Sequence, residues 1–125
     1  MKYEITKELI ENIIPFWMIQ MPDRSGGFYG RMDGEGRLVP DSDKGAVLNA
    51  RILWTFSSAW NHFHDRRYLE NAERSFQYVC SHFIDSEFGG VYWSLNPDGS
   101  PSDTKKQFYA IAFTIYALAE YYAAS

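Results

Sequence analysis

Four stretches of the sequence carry apolar residues at helical spacing, and they are of two kinds. The stretches 6–20 and 66–83 place apolar side chains along one side of a helix and polar side chains along the other. Such amphipathic helices cover a core with one side and meet water with the other. Pro15 removes one backbone hydrogen bond, so the sequence also predicts a kink near the middle of the first helix.

The second and fourth stretches are apolar over most of their circumference. They are Leu48–Trp60 and Phe108–Tyr122, and Asp43 and Asp103 precede them as expected N-terminal caps. A helix that is apolar on all sides is expected to be enclosed on all sides. Outer, half-exposed helices that alternate with inner, enclosed ones are typical of a double-layered α/α barrel. An ordinary four-helix bundle would instead need four similar amphipathic helices.

An internal repeat agrees with this alternation. Gly26-Gly27-Phe28-Tyr29 recurs as Gly89-Gly90-Val91-Tyr92, 63 positions later, and a polar turn that contains glycine follows each copy. We therefore divide residues 1–125 into two units, approximately 1–63 and 64–125, each with a helix, a small β-hairpin and a second helix. The predicted strands are Phe28–Met32 and Val91–Leu95. They would project at the barrel mouth, where ligand contacts usually collect.

Composition narrows the classes of function. The formal net charge is −4 and no run of like charges occurs, which disfavours binding to the phosphates of a nucleic acid. Cys80 is the single cysteine, so an internal disulfide and a cysteine-based zinc site are excluded. No apolar stretch reaches the length of a membrane span, and the first eight residues lack the apolar centre of a signal peptide. We expect a cytoplasmic protein.

The sequence resembles the N-acylglucosamine 2-epimerase superfamily. The residues that carry the resemblance are Ser42-Asp43-Lys44-Gly45, Arg51-Ile52-Leu53-Trp54, Gly89-Gly90-Val91-Tyr92-Trp93 and Tyr109-Ala110-Ile111-Ala112-Phe113. The likeness covers essentially the whole chain and is greatest to the cellobiose 2-epimerases. It implies an (α/α)6 barrel of six hairpins, of which this sequence has two. We therefore expect residues 1–125 to be an all-α N-terminal fragment of such a barrel, with small β-hairpins.

The resemblance also implies an activity, the reversible epimerisation of a reducing-end sugar at C2. The sugar would be a cellobiose-type disaccharide or an N-acylated hexosamine, and no metal or redox cofactor is implied. Arg51 matches the active-site arginine, whose implied role is to hold the oxygens on C1 and C2 and then the enediolate. Tyr109 matches a substrate-contacting tyrosine. Trp93, at the end of a predicted strand, is a candidate to stack on a sugar ring.

Other interpretations of the same residues remain open at this stage. Arg51 could form an ion pair with a neighbouring carboxylate, and Tyr109 and Trp93 could be packing residues. Asp43 and Asp103 stand at equivalent positions of the two units, so a glycoside hydrolase with two carboxylates is an alternative, although helix capping explains their placement. A non-catalytic α/α scaffold that binds a protein partner is a third possibility.

The three histidines are expected to be surface or capping residues. His62 and His64 lie about 20 residues beyond the start of the second helix and hence roughly 30 Å from the barrel mouth. His82 ends an outer helix. The two catalytic histidines that the resemblance implies match nothing in this sequence. Two hairpins also leave a flank of the inner helices uncovered, so the expected partners besides a sugar are the missing hairpins or a second copy of the chain.

Overall fold

The structure is a computed structural model that describes residues 1–125, and it consists of helices and one small sheet. The first helix has three segments, which are α1 (Lys2–Glu8), a π-helical turn (Leu9–Ile13) and α2 (Ile14–Ile19). The remaining elements are, in chain order, β1 (Lys44–Gly45), α3 (Ala46–Phe63), α4 (Arg66–Tyr78), a second π-helical turn (Val79–Phe83), β2 (Ser94–Leu95), β3 (Pro101–Asp103) and α5 (Phe108–Ala124). The four predicted helices are thus all present.

The irregularity predicted from Pro15 takes the form of the first π-helical turn. The backbone N–H of Ile14 donates to the carbonyl of Leu9, five residues earlier, instead of four. A π-helical turn holds one extra residue and so relieves the α-helical ladder where the proline ring would meet the carbonyl of Glu11. The first helix begins at Lys2, four residues before the predicted start at Thr6, and ends at Ile19.

The two inner helices, α3 and α5, run parallel and in contact along their whole length. Ala46 shares a buried cluster with Ala110 near their N-terminal ends. At the other end the indole N–H of Trp60 donates to the carbonyl oxygen of Ala124 at 3.1 Å. Small side chains on α5 let the two backbones approach, and Ala110, Thr114 and Ala117 are buried there. The four helices therefore form two layers, with the first helix and α4 outside α3 and α5.

The inner helix α5 is not enclosed on all sides by these two hairpins, in agreement with the uncovered flank expected from the sequence. Only its stripe of small residues is buried, because α3 and α4 are the helices that pack against it. The ring of Tyr121 stacks on that of Phe76 of α4, and the ring of Tyr116 on that of Trp54 of α3. Many of the large side chains are nevertheless exposed, most of all Phe108, Tyr109, Ile115, Tyr116 and Tyr122. The chain thus presents an apolar face along α5, which we call the α5 face.

The sheet differs from the two predicted hairpins. Residues 28–32 form no strand, and only Phe28 and Met32 make isolated bridges, to Pro22 and Leu38. Of the second predicted strand, only Ser94–Leu95 belongs to the sheet. The sheet has the order β1-β2-β3 and is antiparallel, and β1 of the first unit pairs with β2 of the second. It therefore joins the two units at the N-terminal ends of α3 and α5.

Candidate active site

A largely apolar groove of about 480 Å³ lies between the first helix and α3. The first helix contributes Ile13, Ile14 and Trp17. Helix α3 contributes Val47, Leu48, Arg51, Ile52, Thr55 and Phe56. Arg51 is thus the only charged residue among the nine that line the groove. A concave apolar surface with one or two polar groups is the usual form of a small-molecule site.

Arg51 lies on a polar stripe of α3 that the sequence pattern did not reveal. The helix buries one broad side against α5 and α4, with Ala50, Ile52 and Leu53 among its buried residues. Arg51 and His62 are exposed, and Thr55 between them is half-buried. The guanidinium of Arg51 makes no hydrogen bond and no ion pair with any residue of the chain. It is therefore free to bind a ligand in the groove, and the ion-paired alternative finds no partner in the structure.

Trp93 and Tyr109 lie at the same end of the inner helices as Arg51 but do not line the groove. Trp93 is half-buried, and its carbonyl oxygen accepts the N–H of Ala46, the first residue of α3, at 3.0 Å. The ammonium of Lys105 lies 5.2 Å from the centre of the Trp93 ring. Tyr109 is the second residue of α5 and its ring contacts that of Phe113 at 4.9 Å. Its side chain is 61% exposed, so it is not a packing residue within this chain.

The histidines occupy the places expected of surface and capping residues. His64 ends α3 in the left-handed conformation, with φ of 56°, and its N–H donates to the carbonyl of Trp60. His62 is exposed, and its ring meets that of Phe63 at 4.7 Å. His82 lies on the second π-helical turn, against Tyr78 at 4.3 Å. None of the three lines the groove.

Neither Asp43 nor Asp103 caps an inner helix, so this prediction was wrong. The N-cap residues are Gly45 and Gln107, and neither makes a side-chain capping bond. Asp43 instead accepts a hydrogen bond from Ser102 at 2.8 Å, and Asp103 lies in β3 and pairs with Lys105 at 3.1 Å.

The hydrolase alternative gains nothing from these two carboxylates. Hydrogen bonds from the backbone and side chain of Lys105 lower the pKa of Asp103. A general acid in a glycoside hydrolase needs a raised pKa, so that it carries a proton at the working pH.

Two aspartate–lysine pairs, which the sequence analysis missed, hold the N-terminal ends of the inner helices. Lys44 Nζ lies 2.8 Å from Asp23 Oδ2, and Lys106 Nζ lies 2.6 Å from Asp85 Oδ2. Each lysine follows its aspartate by 21 residues and precedes the start of its inner helix by two. Each also donates to a carbonyl in the Gly-Gly loop, that of Gly26 or Gly89. The equal spacing in the two units is the signal that could have revealed them.

The two pairs differ in their access to water. Lys44 is almost fully buried, at 1% exposure of its side chain, whereas Lys106 is 32% exposed. The ring of Tyr78, on α4, covers Lys44 with its centre 5.0 Å from Nζ. Burial alone would raise the pKa of Asp23, but hydrogen bonds from Lys44 and Ser25 outweigh it, so the pKa is lowered. The hydrogen bond from Lys106, with backbone bonds from Phe88 and Glu87, lowers the pKa of Asp85 to about 2.

Comparison with known proteins decides the family. A sequence model of the N-acylglucosamine 2-epimerase (GlcNAc 2-epimerase) family matches residues 27–125. The chain belongs to this family. Among individual members, it is 55% identical to the cellobiose 2-epimerase of Bacteroides fragilis over all of this chain and 32% of that protein. It is 44% identical to the cellobiose 2-epimerase of Ruminococcus albus, over 98% of this chain and 31% of that protein.

Solved structures of sugar epimerases have the same arrangement of helices. A sugar epimerase from a ruminal bacterium superposes with a TM-score of 0.94 at 43% identity, over 98% of this chain and 31% of that chain. The cellobiose 2-epimerase of Bacillus thermoamylovorans superposes with a TM-score of 0.95 at 36% identity, over 98% of this chain and 32% of that one. These relatives are (α/α)6 barrels, which confirms the predicted fold class of α/α hairpins.

This member of the N-acylglucosamine 2-epimerase family spans about a third of the length of the relatives it matches. Its two hairpins thus correspond to one part of their barrel. No helix of the chain combines the length and the apolar character needed to cross a membrane.

Proposed function

We propose that this chain forms part of the active site of a sugar 2-epimerase, as two of six hairpins in an (α/α)6 barrel. The observation that carries the proposal is the unpaired guanidinium of Arg51 on the wall of the groove, in a chain that belongs to the N-acylglucosamine 2-epimerase family. Inner helices line the centre of such a barrel, so Arg51 would face the substrate.

The chemistry begins with an opened sugar, in which the proton on C2 lies next to the C1 carbonyl. A base removes that proton, and the electron pair of the C–H bond forms the C1–C2 double bond of an enediolate. The negative charge develops on the oxygen of C1, and an acid then returns a proton to the opposite face of C2. We assign to Arg51 the binding of the oxygens on C1 and C2, because a planar, permanently charged fork suits two neighbouring oxygens.

The proposed base and acid are residues other than the three histidines of this chain. None of those three lines the groove, and along the α3 axis His62 stands 11 residues, or about 16 Å, beyond Arg51. Arg51 alone supplies stabilisation of the oxyanion and no proton transfer. The 125-residue chain by itself is therefore expected to be inactive.

The proposed substrate is a cellobiose-type disaccharide, because the relatives named above are cellobiose 2-epimerases. Tyr109 and Trp93 lie at the N-terminal ends of the inner helices, where a second sugar unit would extend from the groove. The exposed phenol of Tyr109 can donate a hydrogen bond to a sugar hydroxyl. Trp93 can stack on a sugar ring once Lys105 moves from its face.

A chimera tests the proposal. In it this chain replaces the matched third of the Bacteroides fragilis cellobiose 2-epimerase, to which it is 55% identical. Hydrogen–deuterium exchange at C2 is followed by NMR with cellobiose and with N-acetylmannosamine, and the 125-residue chain alone is the control. We expect exchange and epimer formation with cellobiose in the chimera only. A folded chimera that is inert towards both sugars, beside an active parent enzyme, would contradict the proposal.

A further inference from the structure

The Gly-Gly loop of the first unit is closed by an arginine from the second unit. Arg74, on α4, donates to the carbonyl oxygens of both Asp23 and Gly27, with Nη2 3.1 Å from the latter. The same two oxygens already accept one bond each inside the loop, from the N–H groups of Gly26 and Asp23. A carbonyl oxygen has two lone pairs, so Arg74 uses the second acceptor position of each. One guanidinium thus fixes both sides of the loop to the neighbouring outer helix.

The loop of the second unit is one residue longer and has the equivalent internal bonds, but it has no such arginine. The carbonyl of Asp85 accepts the N–H of Gly89 at 2.9 Å, and the carbonyl of Gly90 accepts the N–H of Asp85 at 3.0 Å. No side chain donates to either oxygen, since Lys106 bonds to Asp85 Oδ2 and to the carbonyl of Gly89. Gly27 is buried whereas Gly90 is exposed, and Phe88 beside it is 81% exposed.

We propose that the carbonyl oxygens of Asp85 and Gly90 are a docking site for an arginine on the outer helix of a further α/α unit. This unit packs against the second one as the second packs against the first. The occupant is an arginine because two carbonyl oxygens are bound at once, which suits a guanidinium with its forked donors better than the single ammonium of a lysine. The relatives carry about two thirds of their length outside the match, so they have further chain to supply it.

A second copy of this chain is a poorer occupant. Its first helix carries no arginine, and Arg74 of its α4 already binds its own first loop. The other two arginines of α4, Arg66 and Arg67, lie about two turns before that position. The internal spacing also places the arginine. Arg74 follows Asp23 by 51 residues and Gly27 by 47, so in a continuous chain the occupant should follow Asp85 by 51 or 52 residues.

The crystal structure of the chimera is the first test. We expect an arginine of the Bacteroides fragilis portion, 51 or 52 residues after Asp85, within hydrogen-bond distance of both carbonyl oxygens. Replacing this arginine by Met and, in a separate variant, Arg74→Met should each lower the melting temperature. The two decreases should agree within about twofold. Arg66→Met, at an exposed position of α4, is the control and should change little. Water, a lysine or an apolar side chain at the two oxygens would overturn the proposal. Neither the crystal structure nor the melting temperature depends on epimerase activity. The docking proposal can therefore fail while the proposed function holds, and the proposed function can fail while the docking proposal holds.

A tandem protein gives a second test that needs no relative. A copy of residues 64–125 is appended after Ser125, which places the copied arginine 51 residues beyond Asp85. Arg74→Met in the appended copy alone should then lower the melting temperature about as much as Arg74→Met in the original position alone. An appended copy that stays unfolded, or one in which the substitution leaves unfolding unchanged, would contradict the proposal.

Discussion

Lys44 reaches back along the chain to Asp23, and its ammonium nitrogen lies 2.8 Å from the carboxylate with the lysine side chain only 1% exposed. The equivalent contact of Lys106 with Asp85 is as short but leaves the lysine partly in water. The two pairs thus share one geometry in two different environments. This makes the chain its own control for the effect of burial on an ion pair.

Lys44→Met is expected to destabilise the isolated chain more than Lys106→Met. Removal of Lys44 leaves Asp23 charged in a buried site, and breaking a buried pair in this way costs about 3–5 kcal/mol. Asp85 is buried as well, and like Asp23 it keeps two other hydrogen-bond donors. Lys106, however, is 32% exposed, so water can take the place of its ammonium more readily than that of the buried Lys44. Urea unfolding, followed by circular dichroism at low protein concentration, measures both variants. Equal losses in the two would show that cover by Tyr78 does not matter.

The free energy of unfolding is expected to fall as the pH is lowered from 4 to 2, because Asp85 in the second unit becomes protonated. The pKa of Asp85 is lowered from 3.8 to about 2, chiefly by the hydrogen bond from Lys106. A lowered pKa means that the folded state favours the charged carboxylate, so this stability is present above pH 3.8 and is lost as the pH falls through about 2. Lys106→Met should shift the acid transition to higher pH. A transition that does not move would mean that Lys106 is not the cause.

Gly27→Ala is expected to cost more than Gly90→Ala. Both glycines have positive φ, 65° and 78°, so the added side chain strains the backbone similarly in each. At Gly27 the new Cβ would lie 2.8 Å from the ring of Tyr78, whereas at Gly90 it meets the flexible side chain of Lys106 at 3.3 Å. Overpacking adds about 1–3 kcal/mol at Gly27. Unfolding free energies of the two variants in the isolated chain test this, and equal costs would argue against the crowding by Tyr78.

Arg51→Lys in the chimera is expected to lower the turnover of cellobiose by about 10²–10³, as loss of one oxyanion donor does in other enzymes. Stability should hardly change, because Arg51 makes no hydrogen bond or ion pair in the structure. Arg66→Lys, at an exposed position of α4, is the matched control. Steady-state kinetics and thermal unfolding of the same samples separate the two effects. Turnover close to that of the parent chimera would remove Arg51 from the site.

The isolated chain is expected to self-associate through the α5 face. Its large apolar side chains, Ile115 and Tyr116 among them, are more than half exposed, and a contiguous apolar surface of this kind drives association. Sedimentation velocity over a range of concentrations should show growing species. Ile115→Lys should reduce association, whereas Glu70→Lys on the outer side of α4 should not. A monomer at all concentrations would refute the prediction.

The sequence predicts the helices well and their surroundings less well, for a physical reason. A helix of a dozen residues or more, such as α3, repeats its own period, so its existence can be deduced locally. Strands of two or three residues have no period to display, and β1 and β2 exist because one unit pairs with the other. For this reason the strand predicted over Phe28–Met32 was wrong. The exposure of α5 likewise depends on which elements pack against it and not on its own residues.

In the candidate site too, the features set by local sequence could be predicted and those set by contacts between the two units could not. Arg51 stands out in the sequence because a charge interrupts an apolar helix, and the structure leaves it unpaired beside the groove. The cap at Asp43 was wrong because the carbonyl of Trp93, from the other unit, meets the first N–H of α3. The cap at Asp103 was wrong because Asp103 belongs to β3, four residues before the N-cap of α5. Lys44 was missed because a lysine is normally expected in water. Its burial is set by Tyr78, a residue 34 positions away in the second unit.

The pairing of β1 with β2 has a consequence for synthesis on the ribosome. Lys44 pairs with Leu95, and the N–H of the first residue of α3 donates to the carbonyl of Trp93. The first unit is therefore stabilised by residues that are translated about 50 positions later. At ordinary rates of elongation the roughly 50 intervening residues take about 3–10 s to appear. During that interval the nascent first unit has an open edge at the start of α3 and an uncovered Lys44. Nascent chains halted in this interval should be cleaved readily by protease, and resistance should appear only after β2 has left the exit tunnel.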